Sequence, residues 1–239
     1  CLSGIPGLVG ATPVQNVGAY GVEVVNLLVS VDLLDRRSGQ VRTVGADELG
    51  LGYRTSALKG ANSAVVLRVR FVLADGGLSA PIRYAELARV LGVAVGARVP
   101  VAVARAAVLE LRRAKGMVLD AADHDTWSAG SFFTNPVVPD TGLPAIRARA
   151  SADMPTYPAG VGQTKLLAAW LIQQAGFRPG YAGPGGRVAV SGKHSLALTN
   201  RGSASTADLL ALAREVRDGV RARFGVELRP EPVLVGCEL

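Results

Sequence analysis

Two hydrophobic periods divide this chain. Residues 22–35 are apolar and β-rich, with Val29, Val31 and Leu33 alternating against Ser30 and Asp32. Arg37-Ser38-Gly39 then turns the chain into a second strand around Val41–Val44. Over 63–74 the alternation predicts Val65, Leu67, Val69, Phe71 and Leu73 on one face of a third strand and Arg68 and Arg70 on the other, closed by Asp75-Gly76-Gly77. After Pro100 the period lengthens: Val101, Ala104, Val108 and Leu111 share one face of a helix that Gly116 stops.

Residues 118–162 lose periodicity and read as loop and short elements, which places a domain boundary there and divides the chain into 1–117 and 118–239. A helix carrying Leu166, Leu167, Trp170 and Leu171 ends before Gly176, residues 179–187 form a Gly/Pro-rich loop, and a strand holds Leu196 and Leu198. Ser205 and Asp208 make a capping box for a last helix with Leu209, Leu212, Val216 and Val220 on one face and Gly225 at its end. A final strand, Val226–Val235, is interrupted by Pro230 and Pro232. The class is α+β, with antiparallel strands first and a β-α-β-α-β order after.

Composition narrows the options. At 239 residues with 49% hydrophobic and 19% charged, disorder is excluded. Mean hydropathy is +0.29, yet charge, Gly or Pro interrupts every apolar run before the roughly 18 residues a membrane span needs. The start shows no signal-peptide pattern. Cys1 and Cys237 stand at opposite ends with no C-x-x-C, so no disulfide framework or zinc ribbon is expected. Two histidines make a histidine metal site an unpromising prospect, and a reducing compartment is the default. The net charge of +7 raises the question of nucleic acid, but Arg36-Arg37 and Arg112-Arg113 are the only adjacent basic pairs. That reading rests on charge alone.

Four segments carry candidate chemistry. Residues 4–21 hold Gly4, Gly7, Gly10, Gly18 and Gly21 with Gln15-Asn16, either a surface of main-chain N–H groups for a phosphate or flat heterocycle, or a pair of ordinary turns. Arg54, in Gly52-Tyr53-Arg54-Thr55, is a site cation or a surface charge. Ser131, in Gly130-Ser131-Phe132-Phe133, is a proton donor in a tuned site or part of a turn with two core aromatics. Glu231, between two prolines, is a fixed carboxylate or a surface residue on an edge strand. No Ser-His-Asp arrangement is evident.

Taken in order, these segments resemble the flavin-dependent UDP-N-acetylenolpyruvoylglucosamine reductases of bacterial cell-wall synthesis. The likeness runs through Ser3-Gly4-Ile5-Pro6-Gly7, Pro13 to Gly21, Tyr53-Arg54, Gly130 to Phe133 with Asn135-Pro136, Lys165-Leu166 with 168–172, Lys193-His194, and Phe224-Gly225 through Glu231. It departs at Thr134, where the family usually has a basic residue before Asn-Pro.

The resemblance implies part of an FAD-binding domain of the vanillyl-alcohol-oxidase (PCMH-like) type over 1–117 and a smaller substrate-binding domain over 118–239. It also implies FAD-mediated, NADPH-dependent reduction of UDP-N-acetylglucosamine enolpyruvate to UDP-N-acetylmuramate for peptidoglycan. Ser131 would be the proton donor, with Arg54 and Glu231 stabilising the intermediate. FAD would lie along Gly4, Ile5, Pro6, Gly7, Gly10, Gln15, Asn16, Gly18, Ala19 and Tyr20. Tyr84, Lys115, Asn135, Lys165 and His194 would bind substrate, and no metal is implied. A cytoplasmic location is expected, as is a monomeric complete protein without nucleic-acid or membrane partners. The family carries an N-terminal lobe ahead of the matched segments, so the chain is expected to be a fragment. The alternative function is a non-catalytic remnant that at most binds a UDP-sugar.

Overall fold

The computed structural model of the protein describes residues 1–150 and 153–239. The chain forms two compact units, Cys1–Arg113 and Ala114–Leu239, each mixing helices and strands.

The first unit opens with the two-residue strands β1 (Gly18–Ala19) and β2 (Val22–Glu23), an antiparallel pair. The longer strands β3 (Leu28–Asp35), β4 (Val41–Gly45) and β5 (Ala64–Phe71) form an antiparallel sheet in the order β4-β3-β5. Val31, Leu33 and Val44 bury one face of it against Val24 and Leu49. The third strand corrects the expected face. Asp32 pairs with Arg68 and Leu33 with Val66, so Leu67 is an extra residue in β5. Such a bulge reverses the parity of the side chains beyond it. Ala64 and Val66 therefore face the core on one side of the bulge and Val69 and Phe71 on the other, while Val65 and Leu67 are 45% and 54% exposed. Arg68 and Arg70 do share the outer face, where Arg70 grips both carboxylate oxygens of Asp32 at 2.6 and 2.9 Å.

Two helices complete this unit, α1 (Ala85–Leu91), which the sequence pattern did not reveal, and α2 (Val101–Ala114), which it did. They share a second small core with Ile82, Leu87, Val99, Val108 and Leu111. Val101 lies outside it, exposed on the first turn of α2.

In the second unit, β6 (Ser128–Ser131), β7 (Val137–Pro139), the short helix α3 (Leu143–Arg147), β8 (Thr156–Gly160), β9 (Gln163–Leu166) and α4 (Ala168–Gln174) follow in turn. They are followed by β10 (Val188–Val190), β11 (Ala197–Asn200) and α5 (Thr206–Phe224). The strands make two antiparallel sheets, β10-β11-β6 and β7-β9-β8, the second lying mostly in the stretch expected to be loop. Leu166 closes β9, so the fourth helix starts two residues later than its apolar pattern suggests. Leu212, Val216 and Val220 of α5 are fully buried with Val188, Val190 and Leu171. No strand forms over 226–235. Pro230 and Pro232 lack the N–H that a continuous ladder needs, and what remains is a single bridge between Pro230 and Phe133.

The capping box of α5 is present: Ser205 Oγ accepts from Asp208 N at 3.2 Å and Asp208 Oδ2 accepts from Ser205 N at 2.9 Å. Gly225 ends the helix at φ 70°, a left-handed turn that suits glycine. Ser205→Ala is expected to lower stability by about 1 kcal/mol, read as a shift in urea midpoint at constant m value.

Candidate active site

In the first unit the glycine-rich segment and the Tyr53-Arg54 turn are tied together. Asn16 is fully buried at φ 47°. Its amide donates to Glu23 Oε2 at 3.1 Å and to Gly52 O at 3.0 Å, and its carbonyl accepts from Val25 N at 2.9 Å. Gly52 and Thr55 exchange backbone hydrogen bonds of 3.0 and 3.3 Å across a tight reversal, with Tyr53 and Arg54 at the tip and Arg54 left-handed at φ 53°. The Arg54 guanidinium donates to Gly18 O at 2.8 Å, lies 3.8 Å from Glu23 and sits 5.3 Å from the Tyr53 ring centroid. Ser56 Oγ donates to Val14 O at 2.6 Å. Gly18 has to be glycine, because a Cβ there would lie 2.9 Å from Val22 O. Arg54 is therefore held by Gly18 O and Glu23 with its side chain 20% exposed.

Of the residues expected to hold the cofactor, Gln15, Gly18, Ala19 and Tyr20 are half-buried, and Gly18 O meets the Arg54 guanidinium of this turn. Gly4, Ile5, Pro6 and Gly7 run along an exposed edge, and Gly10 packs near Val66. Gly4 and Gly7 adopt φ 80° and 121°, and Gly7 has nothing within 4 Å of where a Cβ would stand. With exposed Ile5, Leu8 and Val9 alongside, the segment offers bare backbone and apolar side chains to a flat ring, so the residues present fit a flavin. Tyr84 stands at the start of α1 with its ring edge-to-face on Tyr20, centroids 5.5 Å apart.

In the second unit three segments converge on Phe132. Its N–H donates to Leu196 O at 2.7 Å and its carbonyl accepts from Glu231 N at 2.8 Å. Ser131, the preceding residue, pairs with Ala197 of β11, and its Oγ lies 3.2 Å from His194 Nε2. Phe132 thus links the backbone of Glu231 to the strand that carries Ser131, whose hydroxyl meets His194. Lys115 acts on the same group: burial first and the Lys115 charge second lower the His194 pKa from its usual 6.5 to about 4.

The other expected substrate residues are placed differently. Asn135 Oδ1 accepts from Ala168 N at 2.9 Å, capping α4 from a distant loop. Lys165 stands in β9 directly opposite Val137 and Tyr157, on one face of the β7-β9-β8 sheet. Among the described residues no group of three His, Cys, Asp or Glu is arranged to hold a metal, and no helix is long and apolar enough to cross a membrane.

A family model described as UDP-N-acetylenolpyruvoylglucosamine reductase, C-terminal domain, matches residues 121–235. UDP-N-acetylenolpyruvoylglucosamine reductases from Saccharopolyspora erythraea and Mycolicibacterium gilvum are 69% and 60% identical over the whole chain, which spans 67% and 68% of their lengths. The chain belongs to this reductase family. The Nocardia farcinica relative is 59% identical, with the chain spanning 64% of it. A solved reductase from Thermus caldophilus shares the fold, with a TM-score of 0.58 at 24% identity over 96% of this chain and 61% of that one.

Two contacts of this reductase-family chain were not signalled by its sequence pattern. Glu23 bonds both Asn16 and Arg54, and its only advertisement was being the first acidic residue of the chain. The Ser131–His194 hydrogen bond joins residues 63 apart, and only the fold reveals it.

Asn16→Ala leaves Val25 N and Gly52 O without their buried partner, at about 1–3 kcal/mol for unsatisfied groups, and keeps a non-glycine residue left-handed. Unfolding of the first unit, followed by hydrogen exchange, is expected to be easier by at least that amount. For His194 the unfolded ring takes up a proton below pH 6.5 that the folded ring refuses until about pH 4. Its contribution to stability is therefore complete above pH 6.5 and declines as pH falls toward 4. Urea midpoints at pH 7 and pH 5 should differ by less in His194→Gln than in the parent.

Proposed function

We propose that the chain reduces UDP-N-acetylglucosamine enolpyruvate to UDP-N-acetylmuramate, a step of peptidoglycan synthesis in the cytoplasm, with FAD and NADPH as cofactors. The observation that carries the reading is the fixed, neutral hydroxyl of Ser131, held against an uncharged ring and one peptide from Glu231. Bound FAD, reduced by NADPH, would supply the hydride.

The chain's own residues account for the rest. Hydride addition to the enolpyruvyl double bond leaves negative charge beside the substrate carboxylate. A guanidinium already oriented by Gly18 O and Glu23 stabilises that charge without reorganising, which is the advantage of a preorganised site over water. Ser131 then gives its proton to the carbon. Glu231, fixed by Pro230, Pro232 and its bond to Phe132, stabilises the intermediate and, through water, the serine oxygen. Lys115 and Lys165 suit a diphosphate. Asn135 spends its carbonyl on the α4 cap and keeps its NH2 as a donor to substrate oxygen. Tyr84 covers the substrate, and the net charge of +7 steers both anionic reactants.

The test separates the two halves of the cycle in FAD-loaded protein carrying this chain. Protonation belongs only to the second half, so Ser131→Ala should leave flavin reduction by NADPH near its parent rate and slow reoxidation by the enolpyruvyl substrate by about 10²–10⁴-fold in stopped flow. Equal slowing of both halves, or of neither, would remove Ser131 as the donor.

A further inference from the structure

Ser131 Oγ and His194 Nε2 are 3.2 Å apart, and a hydrogen bond at that distance has two directions. If the hydroxyl donates to the ring, its proton is turned away from any substrate. If the ring donates to the hydroxyl, the serine proton is left to point elsewhere. Resting on the reading of Ser131 as proton donor, we propose that His194 is its positioning residue: the neutral ring donates Nε2–H to Oγ, aims the serine proton at the reacting carbon and steadies the alkoxide left behind.

Backbone geometry holds the ring at that spot. Ser191 Oγ accepts from His194 N at 3.2 Å, and Ala197 N donates to His194 O at 2.9 Å, closing the turn that leads into β11. Ala197 is the residue paired with Ser131, so the turn carries the ring directly to the hydroxyl. The charged groups around it are accounted for. Lys115 opposes a second positive charge on the ring, whereas Lys193, next in sequence, is engaged by Asp123, and Asp125 Oδ1 accepts from Gly192 N at 3.1 Å. Glu231 is held through its backbone N–H, which donates to Phe132 O at 2.8 Å.

A serine activated as a nucleophile is the competing chemistry, and it needs the opposite ring. There the imidazole must accept a proton, and a carboxylate usually orients it through Nδ1. Burial and Lys115 disfavour the imidazolium, and among the described residues the hydrogen bond recorded for the ring is the one to Ser131. The donor direction avoids the charged ring altogether. The Ser131 O–H bond breaks, its proton forms the new C–H bond, and the electron pair stays on Oγ. Nε2 keeps its own proton and hydrogen-bonds the alkoxide, which then recovers a proton from water.

The first measurement needs no cofactor. The chain has two histidines, so ¹⁵N-histidine labelling with His124→Gln as the assignment variant isolates His194. Long-range ¹H–¹⁵N spectra at pH 7 should show the Nε2–H tautomer, with no titration above pH 5. An Nδ1–H tautomer, or a midpoint near 6.5, overturns the proposal. The second measurement uses the FAD-loaded protein. His194→Leu should slow substrate-driven reoxidation by about 10²-fold, the usual loss for one donor to a developing oxyanion. His194→Gln, whose amide nitrogen can stand where Nε2 stood, should recover to within about tenfold of the parent. If Ser131→Ala slows that step and His194→Leu does not, the inference fails and the reading survives. If Ser131→Ala does not slow it, both fall.

Discussion

Asn16 carries two donors and an acceptor into a place with no exposed surface, and all three have to be met from within the chain. With Glu23 and Val25 as partners in one stretch and Gly52 in another, Asn16 joins three stretches of sequence, its own included. A buried amide left unsatisfied costs about 1–3 kcal/mol per group, more than any single surface contact returns, so the three stretches are fixed together or the unit loosens. Arg54 follows from this. Its turn is anchored through Gly52, its guanidinium through Gly18 O, and its ionic partner Glu23 is the residue that also bonds Asn16. The left-handed backbone at Asn16 and Arg54 belongs to the same device, because conformations of this kind persist where the surroundings over-determine them.

The second unit reaches the same end through backbone alone. Phe132 uses its N–H toward Leu196 and its carbonyl toward Glu231, so one residue joins two segments that are far away in sequence. Its own ring and that of Phe133 are buried, centroids 5.0 Å apart, which holds the peptide unit in register. Ser131 and Glu231 then have no freedom to drift relative to each other at the backbone, and His194 arrives on the turn that precedes Ala197. Glycine and proline mark the borders: Gly130 at φ 81° turns the chain just before Ser131, and the two prolines limit 229–231 to the single bridge it needs.

Helices α2 and α5 were legible because their apolar residues recur at one period over many positions, and the capping box at Ser205 marks its helix without ambiguity. Strand β3 was legible as a strand, but a register shift between Leu28 and Ser30 turns Val29 outward, 51% exposed, and buries Ser30, against the expected alternation. The face of β5 was not, because a bulge at Leu67 leaves the alternation of residue types intact while reversing which of them meet the core. Strands β7, β8 and β9 are five residues or shorter and rich in Pro, Thr and Gly, too short for period 2 to stand out. Among the candidate residues, Arg54, Ser131 and Glu231 were legible as members of motifs. What fixes them was not. Glu23 has no motif, and the Ser131–His194 contact depends on the pairing of β6 with β11, a long-range property that no local pattern encodes.

The two units put opposite electrostatics around their candidate groups. Arg54 has the Gly18 carbonyl at 2.8 Å and the Glu23 carboxylate at 3.8 Å in place of the water it gives up. Beside Ser131 the arrangement suppresses charge: burial and the Lys115 charge disfavour protonation of His194, whose ring lies 3.2 Å from the hydroxyl. The contacts that create this contrast all come from residues inside the chain. Those contacts join positions far apart in sequence, Arg54 with Gly18 and Ser131 with His194, so each group is set by long-range pairing rather than by its own motif.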